Sequence, residues 1–306
     1  MRVKILEVTF MTSATFSPLQ NTSKPMPVLF IGHGSPMNAI TQGVFSENLN
    51  ALGERITQEY GKPKALLVIS AHWITREFAM RAQDGAIPMI YDMYGFPQEL
   101  YEVRYNAQGA QNLAMEIKEK LGEKVHIDNS WGLDHGAWSV LLHLYPKAEI
   151  PIIMASAPVG LSINEAFAIG RALAFLRAQG VCIIASGNVV HNLGDFSNAP
   201  KDYALRFDAF IKEAILHDCA DSNAESNRES SAADSKDLSS AMQAILQSPK
   251  MADFKRAVPT LEHFYPLILA LGAWHGSKNP NHARKVEVFN EEIALGSVSM
   301  TSYFLH

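Results

Sequence analysis

The chain reads as a single α/β domain in which a mostly parallel or mixed central sheet is covered by helices on both faces. Three observations predict this. Short apolar runs recur at residues 27–31, 64–70, 150–155 and 181–186, the pattern of strands buried on both faces. Between them lie stretches with apolar residues at helical spacing, and strand–helix–strand units favour parallel pairing. Several of the runs are followed by Gly and His, and open α/β sheets place their ligands beyond the carboxyl ends of strands.

In order, residues 27–31 form the first predicted strand and 64–70 the second, with a helix over 45–60 between them. A further strand is expected at 76–82, then a loop over 91–101 rich in Gly, Pro and Tyr, of a kind that often covers sites. Leu113, Ile117 and Leu121 recur at helical spacing, 124–127 is extended, and a helix over 135–145 is ended by Pro146. A strand at 150–155, a strongly patterned helix over 163–178 and a buried strand at 181–186 follow. A helix over 202–217 leads into residues 220–240, a Ser/Ala/Asp/Asn mixture almost without large apolar side chains, read as a solvated insertion. A buried helix over 261–271 containing Pro266 and strands at 285–289 and 296–303 complete the pattern. Residues 1–26 lack such patterning and read as a flexible N-terminal extension to a domain over 27–306, with no internal repeat.

With 306 residues, one large core is available. The chain is 47% hydrophobic and 19% charged, with a net charge of -5. It therefore lacks the basic stripe that nucleic acid calls for. No stretch approaches the roughly 18 uninterrupted apolar residues of a membrane span, and a cytoplasmic location is expected. Cys182 and Cys219 stand in different settings, so a disulfide is not expected. The expected partner is a small molecule; oligomeric state is not readable.

Any single one of the eleven histidines is more readily structural than functional, but position distinguishes five. His33, His72 and His191 follow predicted strands, and if those strands are neighbours the rings converge. Converging neutral imidazoles point to Zn or Fe(II) before a hydrolytic triad. A phosphate-binding turn at residues 32–35 lacks the rest of a dinucleotide fingerprint, and a nucleophile built on Ser35 lacks the G-x-S-x-G elbow. His135 opens a predicted helix, where capping and catalysis are both open. His263 has Glu262 beside it, so two candidate ligands compete at one spot. His126, His143, His217, His275, His282 and His306 read as structural or exposed.

The motifs Gly-His33-Gly-Ser-Pro-Met-Asn, Ser-Ala-His72-Trp, Gly-Phe-Pro-Gln-Glu-Leu-Tyr101, Trp-Gly-Leu-Asp-His135-Gly, Ser-Gly-Asn-Val-Val-His191-Asn-Leu and Glu-His263-Phe-Tyr-Pro-Leu occur in one order along the chain. Together they resemble the class III extradiol ring-cleavage dioxygenases (the LigB-like superfamily), in particular the 4,5-DOPA extradiol dioxygenase subgroup. The resemblance covers most of residues 26–303. It implies that His33, His72 and His263 hold the metal, that His191 either joins them or acts beside them as acid/base, and that His135 hydrogen-bonds substrate or dioxygen. The implied cofactor is Fe(II) for turnover, with Zn(II) able to occupy the site as isolated; no other cofactor-binding residue is expected. The implied substrates are a DOPA-like catechol and O2, giving a semialdehyde, and the implied acid/base has a pKa near 6.5. Protocatechuate-type relatives use two histidines and a glutamate, whereas Glu262-His263 leaves imidazole and carboxylate both open. Rival expectations are a zinc hydrolase in the same pocket and an interaction protein of the Memo type.

Overall fold

The computed structural model describes residues 24–225, 238–276 and 284–306. The expected extension up to Ser23, residues 226–237 of the expected insertion, and His282 lie outside the described residues. Met26 is already buried. Its amide donates to the Arg177 carbonyl at 3.0 Å, and Arg177 Nε donates back to the Met26 carbonyl at 2.6 Å.

Along the chain come β1 (Val28–Gly32), α1 (Val44–Tyr60), β2 (Ala65–Thr75), β3 (Ala79–Met80), α2 (Gln98–Tyr101), α3 (Gln111–Leu121), β4 (His126–Ile127) and α4 (His135–Leu144). Then follow β5 (Ile152–Pro158), α5 (Ile163–Leu173), α6 (Phe175–Ala178), β6 (Val181–Gly187), α7 (Asp202–Glu225), α8 (Ser240–Leu246), α9 (Phe254–Ala257) and α10 (Tyr265–His275). Four short strands come last: β7 (Val286–Phe289), β8 (Ile293–Ala294), β9 (Val298–Ser299) and β10 (Ser302–Leu305).

Eight strands form one sheet in the order β4-β3-β5-β2-β6-β1-β10-β7, and β8 and β9 pair separately. The central four, β5-β2-β6-β1, are parallel, while β10 and β7 extend the β1 edge antiparallel. Alternate residues of the central strands feed two separate cores. Leu29, Ile31, Leu66 and Val68 pack with Leu49 and Ile56 of α1 and Leu141 of α4. Val28, Phe30, Leu67 and Ile69 pack with Phe167 of α5 and Leu271 of α10. The expected three-layer α/β/α fold is therefore present, with a mixed sheet. Among the described residues no helix is long and apolar enough to cross a membrane.

Local chemistry accounts for several boundaries. A capping box starts α5: Ser162 Oγ accepts from the Glu165 amide, and Glu165 Oε2 accepts from the Ser162 amide at 2.7 Å. The single helix expected over 163–178 is broken at Ala174 into α5 and α6. The helix expected from 261 begins instead at Tyr265 and places Pro266 in its first turn, where the missing N–H costs nothing and the fixed φ suits the helix. Residues 296–303 give two short strands, β9 and β10, rather than one. α7 runs beyond 217 to Glu225, and α8 orders the far side of the polar segment by burying Met242 and Ile245.

Candidate metal centre

β1, β6 and β2 run in register at one end of the sheet: Gly32 pairs with Gly187, and Ser70 pairs with Ser186. His33 leaves β1 directly, its amide held by the Gly187 carbonyl at 3.2 Å. His72 arrives differently from the sequence expectation. β2 does not stop at residue 70 but runs on to Thr75, and its pairing with β5 shifts register between Ser70 and Ile74. A bulge re-aims side chains, and His72 stands in this one. His191 follows β6, with its amide on the Ala257 carbonyl at 2.9 Å, and His263 lies in the turn that precedes α10.

His135 is the first residue of α4 but not its cap. Asp134 fills that place: its Oδ1 accepts from the Ala137 amide at 3.1 Å and the Ser70 hydroxyl at 2.6 Å, and its Oδ2 from Trp131 Nε1 at 2.7 Å. The His135 ring is left available to the site.

Two glycines let these segments close up. A Cβ on Gly136 would sit 2.8 Å from His72 Cδ2, and one on Gly187 would sit 2.3 Å from the His263 carbonyl oxygen. Either side chain would push a histidine out of place.

The rings of His33, His72 and His263 form a near-equilateral triangle, with centroids 5.0 Å (33 to 72), 5.3 Å (33 to 263) and 5.0 Å (72 to 263) apart. His135 lies 3.9 Å from His72 and 5.6 Å from His33. His191 stacks on His263 at 3.4 Å and 11°. By ligand-atom spacing the residues fall into two groups, His33 with His72 and His135, and His191 with Glu262 and His263.

Hydrogen bonding settles which nitrogen each ring turns inward. Ser186 Oγ lies 2.6 Å from the Gly136 carbonyl, which can only accept, so the serine proton points there. The same oxygen then accepts from His33 Nδ1–H at 2.9 Å. Asp92 Oδ2 lies 3.1 Å from His72 Nδ1 and 2.9 Å from His135 Nδ1, and Asp92 Oδ1 accepts from the His135 amide at 2.8 Å. Glu262 Oε1 faces His263 Nδ1 at 3.2 Å while taking the Thr260 hydroxyl at 2.7 Å. An acceptor at Nδ1 holds the proton there and leaves Nε2 with its lone pair, the arrangement that metal-binding histidines use.

The inward nitrogens fit a cation. His33 Nε2 and His72 Nε2 stand 3.0 Å apart, a spacing compatible with two nitrogens on one ion at about 2.0–2.1 Å each. His263 Nε2 is buried and has no hydrogen-bond partner, although buried polar atoms are nearly always paired. Two facing lone pairs repel unless a proton or a metal ion lies between them, so metal binding here displaces a proton.

Electrostatics run the same way. Burial, helped by the neighbouring rings, holds His33 and His263 well below the ordinary histidine value, so both are neutral as ligands must be. For His72 burial is the largest influence and lowers the value, but the Asp92 hydrogen bond and the charges of Asp134, Asp92 and Glu262 together raise it. Asp92 is held well below the usual carboxylate range: burial opposes this, and its contacts with His135 and His72 outweigh burial. Burial lowers His191 to about 4, against the pull of Glu262. That departs from the value near 6.5 expected for an acid/base histidine.

The remaining described histidines have local partners or solvent. His275 meets Asp218 at 2.6 Å, His143 the Asn38 carbonyl at 2.8 Å, His126 Glu77 at 2.9 Å and His306 Tyr60 at 2.7 Å, and His217 is exposed. Sequence reasoning missed Asp92, Asp134 and Ser186. Asp134 had a signal, a capping residue just ahead of an apolar helix; Asp92 and Ser186 had none.

The family model for the catalytic LigB subunit of aromatic ring-opening dioxygenase matches residues 24–305. The 4,5-DOPA dioxygenase extradiol of Escherichia coli (strain K12) is 35% identical over 295 residues, covering 92% of this chain and 95% of the relative. That of Beta vulgaris is 36% identical over 252 residues, covering 80% and 85%. A crystal structure of an uncharacterized protein from Escherichia coli K12 superposes with a TM-score of 0.68 at 31% identity, covering 91% of this chain and 99% of that one. Enzymes of this family are metal-dependent and take a small-molecule substrate with O2. With the match spanning nearly the whole domain, the chain belongs to the LigB family of aromatic ring-opening dioxygenases.

Proposed function

We propose that this enzyme is a non-haem Fe(II) extradiol dioxygenase that opens the ring of a DOPA-like catechol beside its diol, incorporating both atoms of O2 and giving a semialdehyde. The observation that carries this is the triangle of His33, His72 and His263 rings, each backed at Nδ1 by Ser186, Asp92 or Glu262. The name shared by the Escherichia coli and Beta vulgaris relatives, 4,5-DOPA dioxygenase extradiol, supports the substrate class.

His33, His72 and His263 would hold the ion. Glu262 already serves His263 Nδ1 and Thr260, which favours imidazole over carboxylate as the third ligand. When bound, Fe(II) supplies a Lewis acid for the diol oxygens and open positions for dioxygen. His191, beside His263, takes the second phenolic proton and returns it. Its lowered value makes it neutral at pH 7 and a ready donor once protonated. His135, its Nδ1–H occupied by Asp92, offers Nε2 to a substrate hydroxyl. Zn(II) suits the same donors, so zinc in the isolated protein is compatible with iron in turnover.

The test is to strip the metal, reload Fe(II) or Zn(II) without oxygen, add a panel of catechols including DOPA, and then admit oxygen. Oxygen uptake and a yellow product are expected with Fe(II); their absence on every catechol would contradict the proposal. His191→Ala should keep its metal and lose about 10²–10⁴-fold in turnover. Loss of metal instead would make His191 a ligand.

A further inference from the structure

We infer that Asp92 is a positioning residue that couples metal binding to proton handling, one carboxylate orienting both His72 and His135 with Nε2 turned into the site. The inference rests on the roles proposed above, in which His72 holds the metal and His135 meets the substrate.

Three nitrogens converge on this carboxylate: His135 donates from Nδ1 to Oδ2 at 2.9 Å and from its amide to Oδ1 at 2.8 Å, and His72 Nδ1 lies 3.1 Å from Oδ2. The shared oxygen accounts for two imidazoles lying only 3.9 Å apart and tilted by 52°. Asp92 is itself held by flanking contacts. The Ile90 amide donates to the Leu133 carbonyl at 2.7 Å, Trp138 Nε1 donates to the Ile90 carbonyl at 3.1 Å, and the Tyr91 hydroxyl donates to the Val103 carbonyl at 2.6 Å. These bonds fasten the loop to the start of α4 on one side and to the segment after α2 on the other. The carboxylate is thus placed by the fold and in turn places the rings, as a supporting group in a pre-organised site must.

Only a carboxylate satisfies all three donors. Asparagine has the same size but one acceptor oxygen, and its amide group must then face at least one N–H. The conflict is relieved when a ring moves its proton from Nδ1 to Nε2. On His72 that proton blocks the metal; on His135 it turns an acceptor into a donor.

The experiment uses the full chain with Zn(II) as probe, titrated against a competing chelator, for wild type, Asp92→Asn, His72→Ala and His135→Ala. It is paired with ¹⁵N-histidine NMR of the zinc-loaded proteins. Wild type should show Nδ1–H on both His72 and His135. Asp92→Asn should unfold cooperatively, bind zinc about 10–100-fold more weakly and move a proton to Nε2, whereas His135→Ala should bind zinc as wild type does. With saturating Fe(II), Asp92→Asn should lower kcat rather than raise KM. Wild-type zinc affinity with unchanged tautomers in Asp92→Asn would overturn the inference and leave the proposed function standing. So would Nε2–H on His135 in the wild-type protein, a readout that needs no variant to fold. Zinc retained at full strength by His72→Ala would instead overturn the ligand assignment, and the inference with it.

Discussion

The two ends of α10 hold two buried histidines in opposite circumstances. At the carboxyl end, His275 has both nitrogens engaged, Nε2 at 2.6 Å from Asp218 Oδ2 and Nδ1 at 3.3 Å from Arg284 Nη1. Just ahead of the amino end, His263 is equally buried, yet only Nδ1 is engaged, by Glu262, and Nε2 has no hydrogen-bond partner. Leaving a buried polar atom unpaired costs about 1–3 kcal/mol. Burial therefore does not mark a ligand; burial with one nitrogen backed and the other left open does.

The largest effect that would sharpen this contrast is expected at the satisfied end. Asp218→Ala removes one partner of a buried pair and should destabilise the fold by about 3–5 kcal/mol, measured by denaturant unfolding, with zinc affinity unchanged. At the open end the pattern should reverse. His263→Ala should weaken metal binding by more than about 100-fold, beyond the range of supporting groups, while the metal-free protein unfolds no more easily than wild type. Parallel chelator titrations and melts of the two variants check both halves, and equal loss of stability in both would break the contrast. Next is Glu262→Gln, which keeps one oxygen for the contacts that Oε1 makes with His263 Nδ1 and the Thr260 hydroxyl but removes the negative charge behind them. About 10-fold weaker zinc binding is expected, whereas complete loss would mean that Glu262 is itself a ligand.

The smallest effect is common to both ends. His263, His275, His33 and His191 all have folded values below the ordinary 6.5, burial being the first cause in each. Below about pH 6.5 the unfolded chain takes up protons that the folded chain refuses, so stability of the metal-free protein should fall as pH drops from there. For His191 the loss continues to about pH 4. Each ring adds at most about 1.4 kcal/mol per pH unit to the slope. Unfolding free energies measured from pH 7 to 4.5 should show a shallower slope in His263→Ala and His275→Ala alike.

The parts of the fold legible in sequence were those where one physical demand acted alone. β1, β2, β5 and β6 are buried on both faces and so carry apolar runs that stand out without context. His33 and His191 were legible for the related reason that a glycine and a polar ring follow such a run. His72 was found for a partly mistaken reason: the apolar run stops at Ser70, but the strand continues, because the bulge depends on register with β5 and leaves no local trace. The start of α10 was placed four residues early, at 261, although Pro266 marks the first turn of the helix at Tyr265. Asp92 was not legible, because its place is set by Leu133, Trp138 and Val103, which contact its loop only in the folded chain.

The most direct measurement is anomalous diffraction from crystals loaded with Fe(II) or Zn(II). A single peak is expected within about 2.0–2.2 Å of Nε2 on His33, His72 and His263, with Glu262 still on His263 Nδ1. A peak bound by the Glu262 carboxylate, or no peak among these histidines in protein that has taken up metal, would contradict the account.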